Sequence, residues 1–255
     1  MQLNRYSAFV FHLFGSLSLA LASAAVVFWV WYPGPLAGGS GVTIVFLMML
    51  GIDAILGPCV TLFVFNPQAK GVRELALDML IIVVVQLSAL LAGLYSMFEA
   101  RPAYLVLTGA DGFKVAYAND LLGQSLTPPL DSRFRRAPFF GPEWVAVNMP
   151  SDPKALDDVK FARTVGGPDA LAQLPLAYVA YFAKQKDAAR WAEPLELLKK
   201  LNPSDVGYIN HLVDSYSAGR RRTGFLPLRA KAATLAVILD RQTGEIFEIS
   251  SLRAQ

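Results

Sequence analysis

The chain has 255 residues, 54% hydrophobic and 17% charged, and its 23 basic and 20 acidic side chains leave a formal net charge of +3. Soluble domains carry about 25% charged residues, so this composition excludes a wholly soluble enzyme and a disordered chain. The single cysteine, Cys59, excludes an internal disulfide framework, and the small, dispersed net charge gives no ground for a nucleic-acid partner.

Charge is unevenly placed. Residues 1–99 hold only Arg5, Lys70, Arg73, Asp53, Glu74, Asp78 and Glu99, and nothing charged lies between Tyr6 and Ile52. This predicts a membrane module over 1–99 and a water-soluble domain over 100–255. The first apolar stretch, Ala8 to Trp31, would be about 36 Å long as a helix, enough to cross a hydrocarbon core of about 30 Å. The second runs from Val42 to Phe65 and the third from Leu75 to Phe98. Aromatic residues stand at their ends (Tyr6, Phe9 and Phe11; Trp29, Trp31 and Tyr32; Phe63 and Phe65; Tyr95 and Phe98), as the membrane interface favours. Ala22-Ser23-Ala24 could mark signal-peptide cleavage, but the apolar run continues to Trp31, so an uncleaved span is expected.

Arg5 precedes the first span, Lys70 and Arg73 separate the second from the third, and the loop Pro33–Gly41 is uncharged. Positive charge marks the cytoplasmic side. The amino terminus is therefore expected in the cytoplasm and the domain after Glu99 across the membrane, which in a Gram-negative inner membrane is the periplasm.

Asp53 lies within the second span, in Gly51-Ile52-Asp53-Ala54-Ile55-Leu56-Gly57-Pro58. A mid-span carboxylate is costly, so it should face protein or trapped water. Asp53, Gly57 and Thr61 fall on one helical face, and Pro58 should kink the helix and free a carbonyl near residue 54. Such a small, polar face suits another helix. His12 and Ser16 in span one and Gln86 and Ser88 in span three are the internal candidates. Either Asp53 locks a three-helix bundle together, or Asp53, Gly57, Pro58, Thr61, Gln86 and Ser88 form a groove that receives another protein's membrane helix. Asn66 to Gly71 reads as a tight turn.

Beyond the spans, strands are expected at Ala103–Thr108, Phe113–Tyr117 and Glu143–Asn148, the first two joined by a turn at Asp111-Gly112. Thr127–Gly141, rich in Pro and Arg, reads as an irregular loop. Ser151 or Asp152 should cap a helix reaching Val165, with Pro153 in its first turn. A second helical region is expected over Leu176–Leu201, interrupted near Pro194, and a third over Ser204–Tyr216. A closing hairpin pairs Ala233–Asp240 with Glu245–Ser250. The expected class is a membrane protein: an α-helical three-span bundle plus an α+β domain with antiparallel strands.

Chemistry is sparse. His12 and His211 lie in different modules and cannot form a metal cluster, and neither a phosphate loop nor a Gly-x-Ser-x-Gly elbow occurs. Asp157-Asp158 reads as a solvated helix face. His211 stands three residues before Asp214, a conceivable pH-sensitive contact. Arg133, Arg135 and Arg136, and Arg220-Arg221-Arg222, are basic clusters suited to solvent, anionic headgroups or an acidic partner. No catalytic, cofactor or metal residues are expected.

The segments Phe28-Trp29-Val30-Trp31-Tyr32-Pro33-Gly34-Pro35-Leu36, Gly51 to Pro58 with Thr61-Leu62, Val64-Phe65-Asn66-Pro67, Ala100-Arg101-Pro102-Ala103-Tyr104 and the closing hairpin with Thr243-Gly244-Glu245 appear in that order. In this the chain resembles the type IV pilin accessory proteins of the TfpX/TfpZ kind over nearly its whole length. The resemblance implies a non-enzymatic protein of the bacterial inner membrane that works beside the major type IV pilin and aids pilus assembly. It brings no catalytic residue, and it supplies the membrane groove with a client, the pilin's amino-terminal helix, and the outer domain with the pilin head. Two other readings compete: a component that modifies pilin by glycosyl transfer, and a membrane sensor whose cytoplasmic parts are one short terminus and one loop.

Overall fold

A computed structural model of the chain describes residues 4–122, 132–167, 169–217 and 223–255. These form two compact units, one of Met1–Val30 with Val42–Glu99 and one of Trp31–Gly41 with Ala100–Gln255. The basic cluster Arg220-Arg221-Arg222 lies outside the described residues, as does the start of the Thr127–Gly141 loop.

In the first unit, α1 (Arg5–Ala25) begins at a capping box, Asn4 accepting from the Ser7 amide at 2.8 Å, and continues as a π-helical turn over Val26–Trp31. The one-turn helix α2 (Leu36–Gly39) belongs to the second unit. Then come α3 (Val42–Val64) and α4 (Val72–Glu99). The three long helices, of 27, 23 and 28 residues, are long and apolar enough to cross a membrane. Their large side chains point outward, Phe63 84% and Ile44 72% exposed, a surface that lipid rather than water would solvate. The buried stripe of α3 (Phe46, Leu50, Ala54, Gly57, Pro58, Thr61) marks it as the central helix, packed by α1 on one side and α4 on the other. The Asn66–Gly71 turn closes as expected: the Asn66 carbonyl accepts from Ala69 and Lys70, and Lys70 pairs with Asp78 at 2.5 Å.

The second unit is built on a mixed eight-stranded sheet: β1 (Pro102–Gly109), β2 (Gly112–Tyr117), β3 (Glu143–Val147), β4 (Tyr178–Ala180), β5 (Glu193–Pro194), β6 (Thr223–Arg229), β7 (Thr234–Asp240) and β8 (Ile246–Ser250). Spatial order is β4-β3-β1-β2-β6-β7-β8, with β5 on β6. The expected hairpins β1–β2 and β7–β8 are antiparallel, while the β1–β3 and β2–β6 pairs are parallel. Helices α5 (Pro153–Gly166), α6 (Gln185–Trp191), α7 (Leu195–Leu201) and α8 (Val206–Ser217) complete the fold. Asp152 caps α5 by accepting from the Ala155 amide at 2.9 Å, with Pro153 in the first turn.

The region expected to be helical from Leu176 to Leu201 is broken up. It contains β4 and β5 as well as α6 and α7, because its apolar residues serve sheet edges and short turns rather than one helical stripe. Strand β6 was not foreseen, since Pro227 argues against an interior strand. Pro227 is tolerated because the ladder to β2 begins only at Leu228, opposite Phe113. The β1–β2 turn packs on it: Gly112 has φ +88°, and a Cβ there would stand 2.9 Å from the Pro227 ring.

Side chains alternate across the sheet. Leu105, Leu107, Phe113, Val115, Leu228 and Val237 line one face with Ala188 of α6 and Ala192 just after it. The other face packs Phe225, Ala236 and Ile238 against α7 and α8, and Tyr104, Val106 and Val145 against Phe134 and Tyr178.

The segment expected to be only a loop between two spans completes this core. Leu36 is fully buried within the first of these clusters. The Gly39 carbonyl accepts from the Ala232 amide at 2.8 Å and the Ala233 amide at 3.2 Å. The Tyr117 hydroxyl donates to Ser40 Oγ at 3.1 Å and accepts from the Lys231 amide at 3.1 Å. A Cβ on Gly39 would stand 2.8 Å from Leu235 Cδ1, so that side chain would have to shift to admit one.

Candidate functional site

The polar residues of the membrane unit meet in one seam. His12 Nδ1 lies 2.6 Å from Thr61 Oγ1, and His12 Nε2 lies 2.9 Å from Gln86 Oε1. The Gln86 amide nitrogen donates to Ser16 Oγ and to the Asp53 carbonyl, both at 2.9 Å. Because Gln86 Oε1 only accepts, His12 donates to it from Nε2, and its Nδ1 shares a hydrogen bond with the Thr61 hydroxyl. The hydrogen bonds thus run from α3 through α1 to α4.

The sequence places these groups by simple spacing. His12 and Ser16 are four apart on α1, and Gly57 and Thr61 four apart on α3, so each pair shares a face. Gly57 is buried beneath Gln86, and any Cβ there would collide with the Gln86 amide. Gly93 similarly seats Met49. Pro58 sits in α3 one turn beyond Ala54, and the adjacent Asp53 carbonyl is the one that Gln86 takes.

The six residues singled out in the spans therefore have different places. Gly57, Pro58 and Thr61 are buried inside the bundle, and Gln86 bridges all three helices. Asp53 is half-buried and enters through its carbonyl, while its carboxylate Oδ2 has no hydrogen-bond partner among the described residues. Ser88 is exposed on α4 and bonds back to the Val84 carbonyl at 2.7 Å, outside the seam. His12 and Ser16, named as internal partners, do lie in it, with Gln86 rather than the Asp53 carboxylate at its centre. What the sequence reading missed is a groove of about 440 Å³ along α1 and α4, lined by Phe11, Gly15, Leu19, Met79 and Val83, with His12, Ser16 and Gln86 on its floor. The signal was available in Gly15 and Ser16 beside a histidine, but a groove depends on helix order, which spacing alone does not give.

The second unit holds ion pairs of its own. Lys114 pairs with Asp169 at 2.6 Å and Lys231 with Asp120 at 2.8 Å around a polar pocket of about 490 Å³. Asp157 is exposed beside Lys160, and His211, exposed on α8, has Ser215 Oγ 3.4 Å from Nδ1. Among the described residues no group of three His, Cys, Asp or Glu could hold a metal ion. Burial and the nearby Glu143 carboxylate push the Tyr104 hydroxyl up to about 12, and burial raises Tyr178 well above the usual tyrosine range. Both hydroxyls donate to carbonyls, Tyr104 to Arg136 and Tyr178 to Ala172.

Residues 3–41, the first span with its docked segment, match the family model of the fimbrial assembly protein FimB. The chain is 32% identical to the fimbrial assembly protein of Dichelobacter nodosus serogroup I, over 90% of its own length and 88% of that protein. It is 31% identical to the serogroup E1 protein over the same shares. It is 35% identical to the fimbrial assembly protein of serogroups C1 and C2 over 44% of this chain and 83% of that one. No solved structure matches the chain. Three long apolar helices, an α+β unit and near full-length similarity agree with the accessory proteins that its motifs resemble: the chain belongs to the fimbrial assembly protein family, the type IV pilus accessory class.

Proposed function

We propose that the protein is a non-enzymatic accessory factor of the bacterial inner membrane that binds the major type IV pilin and modulates its assembly. The amino-terminal helix of the pilin would lie in the groove along α1 and α4, and the outer unit, in the periplasm, would contact the pilin head. The observation that carries this reading is the groove itself. Gly15 leaves it open to close helix approach, and its almost wholly apolar lining, over a floor where His12, Ser16 and Gln86 bond one another, suits a helix otherwise in lipid. Of the residues expected at the contact, Gln86 edges the groove directly. Gly57, Pro58 and Thr61 would act by setting its shape, and Asp53 supplies the carboxylate closest to the seam. Ser88 would contribute only to a partner on the outer face of α4.

The test is photo-crosslinking from residues 19 and 83, on opposite walls of the groove, in membranes that contain pilin. Crosslinks to the pilin's amino-terminal helix are expected from both positions. Crosslinks confined to this chain would exclude the groove. An intact pilin mass that changes when the gene is deleted would instead favour a modifying activity.

A further inference from the structure

Phe140 is 80% exposed and Phe139 53%, their ring centroids 4.9 Å apart, in a loop whose sequence from 133 to 141 also carries three arginines and no acidic residue. We propose that this loop, Arg133–Gly141, is a lipid-contact element that binds the surface of the bilayer the spans cross. The argument is independent of the pilin reading.

Position comes first. Arg101 follows the last residue of α4, Glu99, by two residues, a chain distance of at most about 7 Å. Its guanidinium, 5% exposed, donates to the Pro138 carbonyl from Nε at 3.0 Å and from Nη2 at 2.9 Å. The Tyr104 hydroxyl donates to the Arg136 carbonyl at 3.0 Å. The loop is thus tied to the point at which the chain leaves its third apolar helix. Rigidity comes second. Phe134 is buried, with its ring centroid 6.0 Å from Tyr104 and 5.8 Å from Tyr178, so the exposed phenylalanines project from an anchored base. Composition comes third. Arg133, Arg135 and Arg136 are exposed around the aromatic pair, and Glu143 is the exposed carboxylate that follows it among the described residues. Aromatic rings with adjacent arginines suit the headgroup level, where rings enter the acyl boundary and cations meet anionic lipid. An acidic protein patch would suit the arginines, but it would leave unexplained two exposed rings in a loop tied to Arg101.

The experiment uses the full chain carrying Cys59→Ser and one new labelled cysteine, at Phe140→Cys or Asp111→Cys. Phe140 is exposed, so its replacement leaves the core intact. Asp111 lies in the β1–β2 turn, at the far end of β1 from Pro102 and about 23 Å away at about 3.3 Å per residue. Both proteins are placed in nanodiscs of phosphatidylcholine with about one-third phosphatidylglycerol and a headgroup-nitroxide lipid. A fluorophore at 140, within about 10 Å of the headgroups, should be quenched about threefold more than one at 111. Arg135→Gln and Arg136→Gln should each lower the bound-to-free ratio of the loop about fivefold in anionic discs. Equal quenching at 140 and 111 overturns the proposal. So does quenching at 140 that the two arginine substitutions leave unchanged, or protection of 140 that arises only when pilin is added.

Discussion

Gln86 is the residue on which the membrane unit turns. One amide side chain accepts from His12 and donates to Ser16 and to a backbone carbonyl of α3, so it ties α4 to the other two helices. Hydrogen bonds inside membranes contribute only about 0.6 kcal/mol each on average, so Gln86→Leu should destabilise the bundle by about 2 kcal/mol over three bonds. Unfolding in mixed micelles measures this, and an unchanged midpoint would mean that the helices hold together by packing alone. Gly57→Val should act by a different route, forcing α3 and α4 apart at an overpacking cost of about 1–3 kcal/mol. Residue-level reading of the sequence found these positions because polar atoms in an apolar helix must have partners. It misjudged their order of importance, because Asp53 carries the larger charge whereas Gln86 makes the bonds.

At the scale of elements, the segment Trp31–Gly41 changes the division of the chain. Read as sequence it is an uncharged loop between two spans. In the fold its Leu36 fills the core of the other unit and its Gly39 carbonyl closes against Ala232 and Ala233. A run of Tyr, Pro and Gly says turn but not what the turn packs on, so this docking was not legible from the residues. The two terminal hairpins and the capped helix α5 were, because Asp111-Gly112, Thr243-Gly244 and Asp152-Pro153 specify local geometry. Strands β4, β5 and β6 were not, because two are very short and the third contains Pro227, and all three depend on neighbours distant in sequence. Leu36→Ala should therefore destabilise the α+β unit by about 2–5 kcal/mol. A fragment of residues 100–255 should gain stability when a peptide of residues 31–41 is added. Thermal denaturation with and without the peptide checks this, and indifference of the fragment to the peptide would show that the docked segment is dispensable.

At the scale of the molecule, three apolar helices and an α+β unit fit a membrane-anchored assembly factor, and buried tyrosines of the α+β unit set its response to pH. Tyr104, raised to about 12, and Tyr178, also raised by burial, stay protonated in the fold but would ionise near 10 when unfolded. Above pH 10 the unfolded chain binds fewer protons than the native one, so stability falls as pH rises through that range. Phenolate absorbance should show these tyrosines silent up to about pH 11, then titrating together with loss of the fold.

The central claim is that the groove along α1 and α4 receives the pilin helix. Gly15 lines that groove, and a Cβ added there meets no atom within 4 Å, so Gly15→Leu is expected to fill the space with little strain on the bundle and to improve helix propensity. The deciding measurement is capture of pilin by the full chain in mild detergent, wild type beside Gly15→Leu at equal protein level. Pilin retained by the wild type and lost from the variant is the predicted result; equal recovery from both would contradict it.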